Sequence, residues 1–188
     1  MAEFKQRVRQ TVIDLETYGK GPYAAIASIG IVDFFVSDEF VIEDQYYANV
    51  HQDMNKKLNR EYDDDTIDWW LQQDPTIRKA LLVDQKPLDV VMREVIAFID
   101  KKALIWCQGT DFDISILKTT FKQLELEIPW KYSNVRDSRT FTEELGYSMK
   151  RFRDPSSHHN ALDDAICQAK VVNMLKRMIE NGMKDDVQ

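Results

Sequence analysis

The 188-residue chain predicts an α/β domain: a mixed sheet flanked by helices. Three observations predict it. Three consecutive segments rich in Val, Ile, Phe and Tyr open the chain, joined by short turn-forming stretches, and read as an antiparallel meander. The apolar spacing then changes to that of a helix. After that, helical and strand-like segments alternate, which makes the sheet mixed rather than purely antiparallel.

The strands come first. Residues 8–16 (VRQTVIDLE), 24–36 (AAIASIGIVDFFV) and 40–50 (FVIEDQYYANV) are the three apolar segments. Gly19-Lys20-Gly21-Pro22 and Ser37-Asp38-Glu39 supply the turns between them. The polar stretch 51–65, with Lys56, Lys57 and Arg60 followed by Asp63 to Asp65, reads as a loop ending at a helix start near Thr66. Leu88, Val91, Val95 and Phe98 share one helical face, with Pro87 near its start. Residues 103–107 (ALIWC) make a short buried strand, and Ile114, Leu117, Phe121 and Leu124 mark the next helix. A further strand is predicted near 132–137, a short helix over about 138–146, and a final helix over 160–181 with Leu162, Ile166, Ala169 and Val172 apolar. No internal repeat or linker interrupts the chain, so residues 1–183 read as one domain followed by a tail, 184–188.

Composition narrows the class of protein. Hydrophobic residues at 44% and charged residues at 30% suit a soluble globular chain and exclude a disordered one. No apolar run approaches the roughly 20 residues of a membrane span. The first ten residues, MAEFKQRVRQ, are basic but have no apolar region behind them, so no signal peptide is expected. Cys107 and Cys167 each sit in an apolar stretch and read as buried small hydrophobes in a reducing compartment, which points to the cytoplasm. A net charge of -7 argues against a broad DNA-coating surface. It leaves room for an enzyme that clusters acid around divalent metal.

Candidate carboxylates lie in three places. Asp14 and Glu16, in TVIDLETYG, are two apart on a strand and therefore share a face. Burying that pair needs a compensating cation, whereas a solvated edge strand would simply turn both to water. Asp113, in QGTDFDISIL, opens a helix just after the ALIWC strand. It can serve the helix dipole, or belong to a site beyond the carboxyl ends of the strands. In HHNALDDAI, Asn160 reads as an N-cap with Asp163 as a capping-box partner. Asp164 then turns one residue further round, and His159 can meet it only from the preceding loop. Otherwise the two acids are dipole partners and the histidine is a surface residue.

Taken in order, the DLET stretch, the segment Gly109-Thr110-Asp111-Phe112-Asp113 and the spacing His159-x-Ala161-x-x-Asp164-Ala165 resemble the three motifs of the DEDDh exonuclease superfamily. That superfamily includes RNase T, oligoribonuclease and polymerase proofreading domains. VIDLETYGKGPYAAIASIGIV, TIDWWLQQDPTIR and PWKYSNVRDSRTF resemble more closely its branch of mycobacterial-type 3′→5′ exoribonucleases and related phage exonucleases. The likeness runs from about residue 11 to 175.

The resemblance implies a ribonuclease-H-like fold with five central strands in the order 3-2-1-4-5. It implies Asp14, Glu16, Asp113 and Asp164 as metal-site residues and His159 as general base, with His158 as a neighbour disfavoured by spacing. Two Mg²⁺ or Mn²⁺ ions, about 4 Å apart, would stabilise the attacking and leaving oxygens of an in-line displacement. On this reading Asp14 bridges the metals, Glu16 and Asp164 complete one site, and Asp113 supports the other through water. A neutral imidazole, titrating near about 6.5, would accept the proton of the attacking water. Where many relatives have a His-Asn pair before Phe-Asp, this chain has Thr110-Asp111, which removes any substrate contact made by that Asn. The implied products are nucleoside 5′-monophosphates from the 3′ ends of RNA or DNA, single-stranded ends or overhangs being favoured. A homodimer, common among similar enzymes, is a further implied expectation; no membrane partner is expected.

Two other features remain open. Adjacent Trp69 and Trp70 cannot both face one side of a helix, so one is core and the other is available to stack on a base. Arg136, Arg139, Lys150, Arg151 and Arg153 form either a phosphate track or a solvated surface interleaved with Asp137, Glu143, Glu144 and Asp154. The alternatives to a stand-alone exonuclease are a non-catalytic nucleic-acid-binding module and a proofreading subunit of a polymerase. The presence of all four acids and the histidine disfavours the first. The short tail after the last helix disfavours tethering in the second.

Overall fold

A computed structural model describes residues 7–152 and 159–182. Strands β1 (Gln10–Thr17), β2 (Ile26–Phe34) and β3 (Ile42–His51) form the antiparallel meander, each boundary within two residues of expectation. Helices α1 (Gln52–Lys57), α2 (Asp64–Gln72) and α3 (Pro75–Ala80) follow. Then come β4 (Lys86–Pro87), α4 (Leu88–Phe98), β5 (Leu104–Cys107) and α5 (Asp113–Gln123). A single 3-10 turn (Tyr132–Asn134) leads into β6 (Val135–Asp137), α6 (Ser138–Glu144) and α7 (Ala161–Glu180). Among the described residues no helix is long and apolar enough to cross a membrane.

The sheet order is β4-β3-β2-β1-β5-β6, with β5 and β6 parallel to β1 and to each other. The five expected strands keep their expected order. The correction is a sixth, the two-residue β4, which runs parallel to the end of β3 through Val50 and His51. Pro87 cannot donate to a further neighbour, so this strand closes the edge and is too short to leave an apolar pattern. The stretch 51–65 is likewise not all loop. His51 caps the one-and-a-half-turn helix α1, whose polar sequence carries no apolar period to reveal it. Buried Asn55 is its anchor, bonding to both N–H and carbonyl of Ile26 on β2.

Alternation along β1 separates the two faces of the sheet. Ile13 and Leu15 point to one side with Ile29, Ile31 and Ile105, packed under α4 and α5 through Leu88, Met92, Val95, Leu117 and Phe121. Val12 points to the other with Val32, Phe34 and Trp106, beneath Ala165, Ala169 and Val172 of α7. Asp14 and Glu16 have the parity of Val12. They therefore lie at the carboxyl end of β1 on the α7 side.

Cys107 is buried as expected, but Cys167 is only half-buried. Its position on α7 lies off the Ala165–Ala169–Val172 face that meets the sheet, which corrects the expectation that both cysteines are interior.

Arg60 is 4% exposed. Its Nε donates to the carbonyl of Ala24 at 2.9 Å, and one terminal nitrogen donates to Gln123 Oε1 at 2.7 Å. Burial lowers its pKa to about 10. This guanidinium joins the turn before β2, the segment after α1 and helix α5, so its loss strands several buried carbonyls. Arg60→Met is expected to destabilise the chain by roughly 2–4 kcal/mol, read as a lower urea midpoint at unchanged slope.

Candidate active site

Three segments distant in sequence meet above the carboxyl ends of β1 and β5. Carboxylate oxygens of Asp14, Glu16 and Asp164 all lie within 4.8 Å of one another. They line a pocket of about 190 Å³ together with Asp113, His159, Gln108, Phe112 and Arg139. All five residues singled out in the sequence border this one depression.

Each arrives by a local cause. Strand alternation brings Asp14 and Glu16 to one face. Asp164 comes from the first turn of α7, whose start is set by Asn160: its Oδ1 accepts from the N–H groups of Leu162, at 2.9 Å, and Asp163, at 3.2 Å. The register turns Asp164 inward and leaves Asp163 exposed. His159, just ahead of the cap, has φ of 69°. That left-handed conformation is unusual for a side chain of this size and turns the chain sharply into the helix. The imidazole stands edge-on to the Trp69 ring at 4.6 Å between centroids. His158, Arg153, Asp154 and the side chain of Lys150 lie outside the described residues.

Asp113 enters differently. It is 3% exposed, and its Oδ1 accepts the N–H of Leu15 at 3.1 Å. Asp113 thus braces the end of β1 between the other two acids while lining the pocket, and is not one of the three converging carboxylates. Burial pushes its pKa up to about 7, against the pull of the Leu15 N–H. Clustered carboxylates in a partly dry pocket repel one another, and a divalent cation with oxygen ligands relieves the repulsion. The donor set is all oxygen, which fits Mg²⁺ or Mn²⁺ rather than a thiolate-seeking metal.

The structure adds Gly30 and Gln168, which the sequence did not single out, and brings in Arg139 and Trp69, which it left open. Gly30 on β2 pairs across from Asp14, and a Cβ there would stand 2.3 Å from backbone atoms of Ala161 and Leu162. The first turn of α7 reaches Asp14 and Glu16 because this position has no side chain. A lone glycine within an apolar strand was the available signal. Gln168, one turn after Asp164, donates to Asp14 Oδ1 at 2.7 Å. Arg139 borders the pocket as a cation, its terminal nitrogen donating to Gln108 O at 3.4 Å. Asp137 sets its position by capping α6 through Thr140 N and holding Thr110 N, each at 2.9 Å. Of the basic series, Arg136 instead turns to the carbonyls of Ser133 and Val135, and Arg151 is exposed.

The fourth is Trp69. Trp70 is buried, its Nε1 donating to Thr17 O at 2.8 Å, while Trp69 is 38% exposed. A second cleft of about 390 Å³ adjoins this acidic pocket, sharing Leu15, Glu16 and Phe112 with it and walled by Trp69, Thr66 and Lys20. The volume is that of a small-molecule site.

A family model described as the 3′-5′ exoribonuclease Rv2179c-like domain matches residues 9–176. The Enterobacteria phage T4 protein named Exodeoxyribonuclease is 27% identical over 160 residues, covering 71% of this chain and 70% of its own. Among solved structures, the nuclease domain of 3′hExo, a DEDDh family member bound to rAMP, has a TM-score of 0.60 at 17% identity, covering 98% of each chain. E. coli exonuclease I, zinc-bound with single-stranded DNA, has a TM-score of 0.69 at 10% identity, over 93% of this chain and 42% of that one. The Mg²⁺- and Mn²⁺-bound S. pombe Pop2p has a TM-score of 0.52 at 12% identity, over 94% and 86%. These structures share the α/β fold of the DEDDh nucleases.

Proposed function

This chain belongs to the 3′-5′ exoribonuclease Rv2179c-like domain family, a group of 3′-5′ exonucleases, and we propose that it releases nucleoside 5′-monophosphates from 3′ ends with two divalent cations. The observation behind this reading is the meeting of Asp14, Glu16 and Asp164 within 4.8 Å in a pocket that Asp113 and His159 also line. The cations, Mg²⁺ or Mn²⁺, supply Lewis-acid stabilisation of charge that builds on the phosphoryl and departing 3′ oxygens.

The chain's own groups do the rest. Asp14, Glu16 and Asp164 hold the cations, and Asp113 braces β1 while completing the acidic wall. His159 accepts a proton from the attacking water as the new P–O bond forms and the bond to the 3′ oxygen breaks. The departing 3′ oxygen takes a proton from solvent, and the shortened strand leaves with a 3′ hydroxyl. Arg139 borders the pocket as a counter-charge to the phosphate.

The terminal nucleoside occupies the adjoining cleft, between Trp69 and Phe112. Trp69→Ala is then expected to raise KM for oligonucleotides by roughly 5- to 100-fold, the range of a lost base-stacking contact. An unchanged KM would remove Trp69 from the substrate site and leave it as a packing neighbour of His159 and Trp70.

Digestion of 5′-labelled RNA and DNA oligomers tests the whole reading. A ladder shortened one nucleotide at a time, dependent on Mg²⁺ or Mn²⁺ and abolished by EDTA, is the expected result. Internal fragments, or cutting that survives EDTA, would contradict it. Because the family is named for RNA and the T4 relative for DNA, running both substrates side by side also assigns the sugar preference.

A further inference from the structure

Building on that reading of the site, we propose that Gln168 is a positioning residue that presets Asp14 for cation binding. Gln168 is 1% exposed and sits one helical turn after Asp164, on the same face of α7. Its Nε2 donates to Asp14 Oδ1 at 2.7 Å. Its Oε1 accepts from the hydroxyl of Ser138 at 3.1 Å, and Ser138 is itself fully buried.

Chemistry fixes the direction of this chain. An ionised carboxylate only accepts, so the amide NH₂ must face Asp14 and the amide oxygen must face Ser138. The serine hydroxyl has one proton and two acceptors in reach, Gln168 Oε1 and the carbonyl of Cys107 at 3.0 Å. That proton is shared between the two acceptors, so the firm hold on the amide is its bond to Asp14, and Ser138 steadies the other end. A flipped amide would set its oxygen against the carboxylate, so the orientation that donates to Asp14 is favoured.

The consequence concerns binding order. Asp14 stands within 4.8 Å of the carboxylate oxygens of Glu16 and Asp164, and repulsion from these like charges works to turn its own carboxylate away. Gln168 favours one rotamer and steers the oxygen lone pairs before any cation arrives. Helix α7 then grips the centre twice, through Asp164 directly and through Gln168 by way of Asp14. Groups that hold a metal ligand in this manner typically contribute about 10- to 100-fold in metal affinity.

The test is Mn²⁺ binding by calorimetry or electron paramagnetic resonance, on the full chain without nucleic acid. Gln168→Met keeps the length of the side chain and loses the donor. It is expected to raise the Mn²⁺ Kd by about 10- to 100-fold, while kcat at saturating Mn²⁺ recovers to within roughly threefold of wild type. If Gln168 only packs α7, the melting temperature falls but the Mn²⁺ Kd stays within about twofold, and the inference is overturned. Should Gln168→Met fail to fold, Ser138→Ala decides: a Kd raised about three- to fivefold supports the relay, and an unchanged Kd rejects it. Absence of Mn²⁺ binding in the wild-type chain would instead sink the metal-dependent reading itself.

Discussion

Asp164→Asn is expected to lower single-turnover cleavage by roughly a thousandfold, whereas Asp163→Asn should stay within about threefold of wild type. The two acids are adjacent in sequence and chemically identical, and about 100° of helical rotation separates them. Asp164 contributes an oxygen to the group within 4.8 Å, while Asp163 is exposed on the outer side of the same turn. Replacing either carboxylate by its amide preserves shape, so a difference between them reports on charge at one point. Asp164→Asn also removes one member of a repelling cluster, so the metal-free chain should melt no earlier than wild type and gain less from added Mn²⁺. The reverse ranking of the two variants would mean that α7 presents a different face to β1.

Gly30→Ala should cut kcat by about a hundredfold, although Gly30 carries no chemistry. An added Cβ would meet Ala161 and Leu162 at 2.3 Å, and those are backbone atoms that no rotamer change can move aside. The first turn of α7 must lift by an ångström or more, and Asp164 lifts with it. Misplacement on that scale costs about two orders of magnitude in positioned catalysis. Overpacking of this kind also lowers stability by about 1–3 kcal/mol. Turnover and melting temperature measured on the same preparation check both parts. Wild-type turnover in Gly30→Ala would show that the helix and the acids it carries are not held to the sheet at this point.

Much of the site was legible because its residues carry strong local signatures. The pair Asp14 and Glu16 stands out within a Val/Ile/Leu strand, and strand alternation alone puts both on one side. Asn160 announces a helix start, and counting from that cap separates Asp164 from Asp163. The meander was legible for the same reason, since long strands rich in Val, Ile and Phe, two of them buried on both faces, stand out over many residues. Two of the short elements did not announce themselves. The six residues of α1 and the two of β4 are too few for a period, and tertiary partners define them: Asn55 against Ile26, and Lys86 against Val50.

The amino-acid order by itself singled out the acids and the histidine that border one acidic pocket, and the α/β succession that carries them. Only the tertiary structure decided the company they keep. Gly30, Gln168, Arg139 and Trp69 join the site through approach of segments far apart in the chain, as when Gln168 meets Asp14 across 154 positions. Local pattern reports the conformation and facing of a residue. Which residue lies opposite depends on how closely α7 settles on the sheet, and that distance is set by packing.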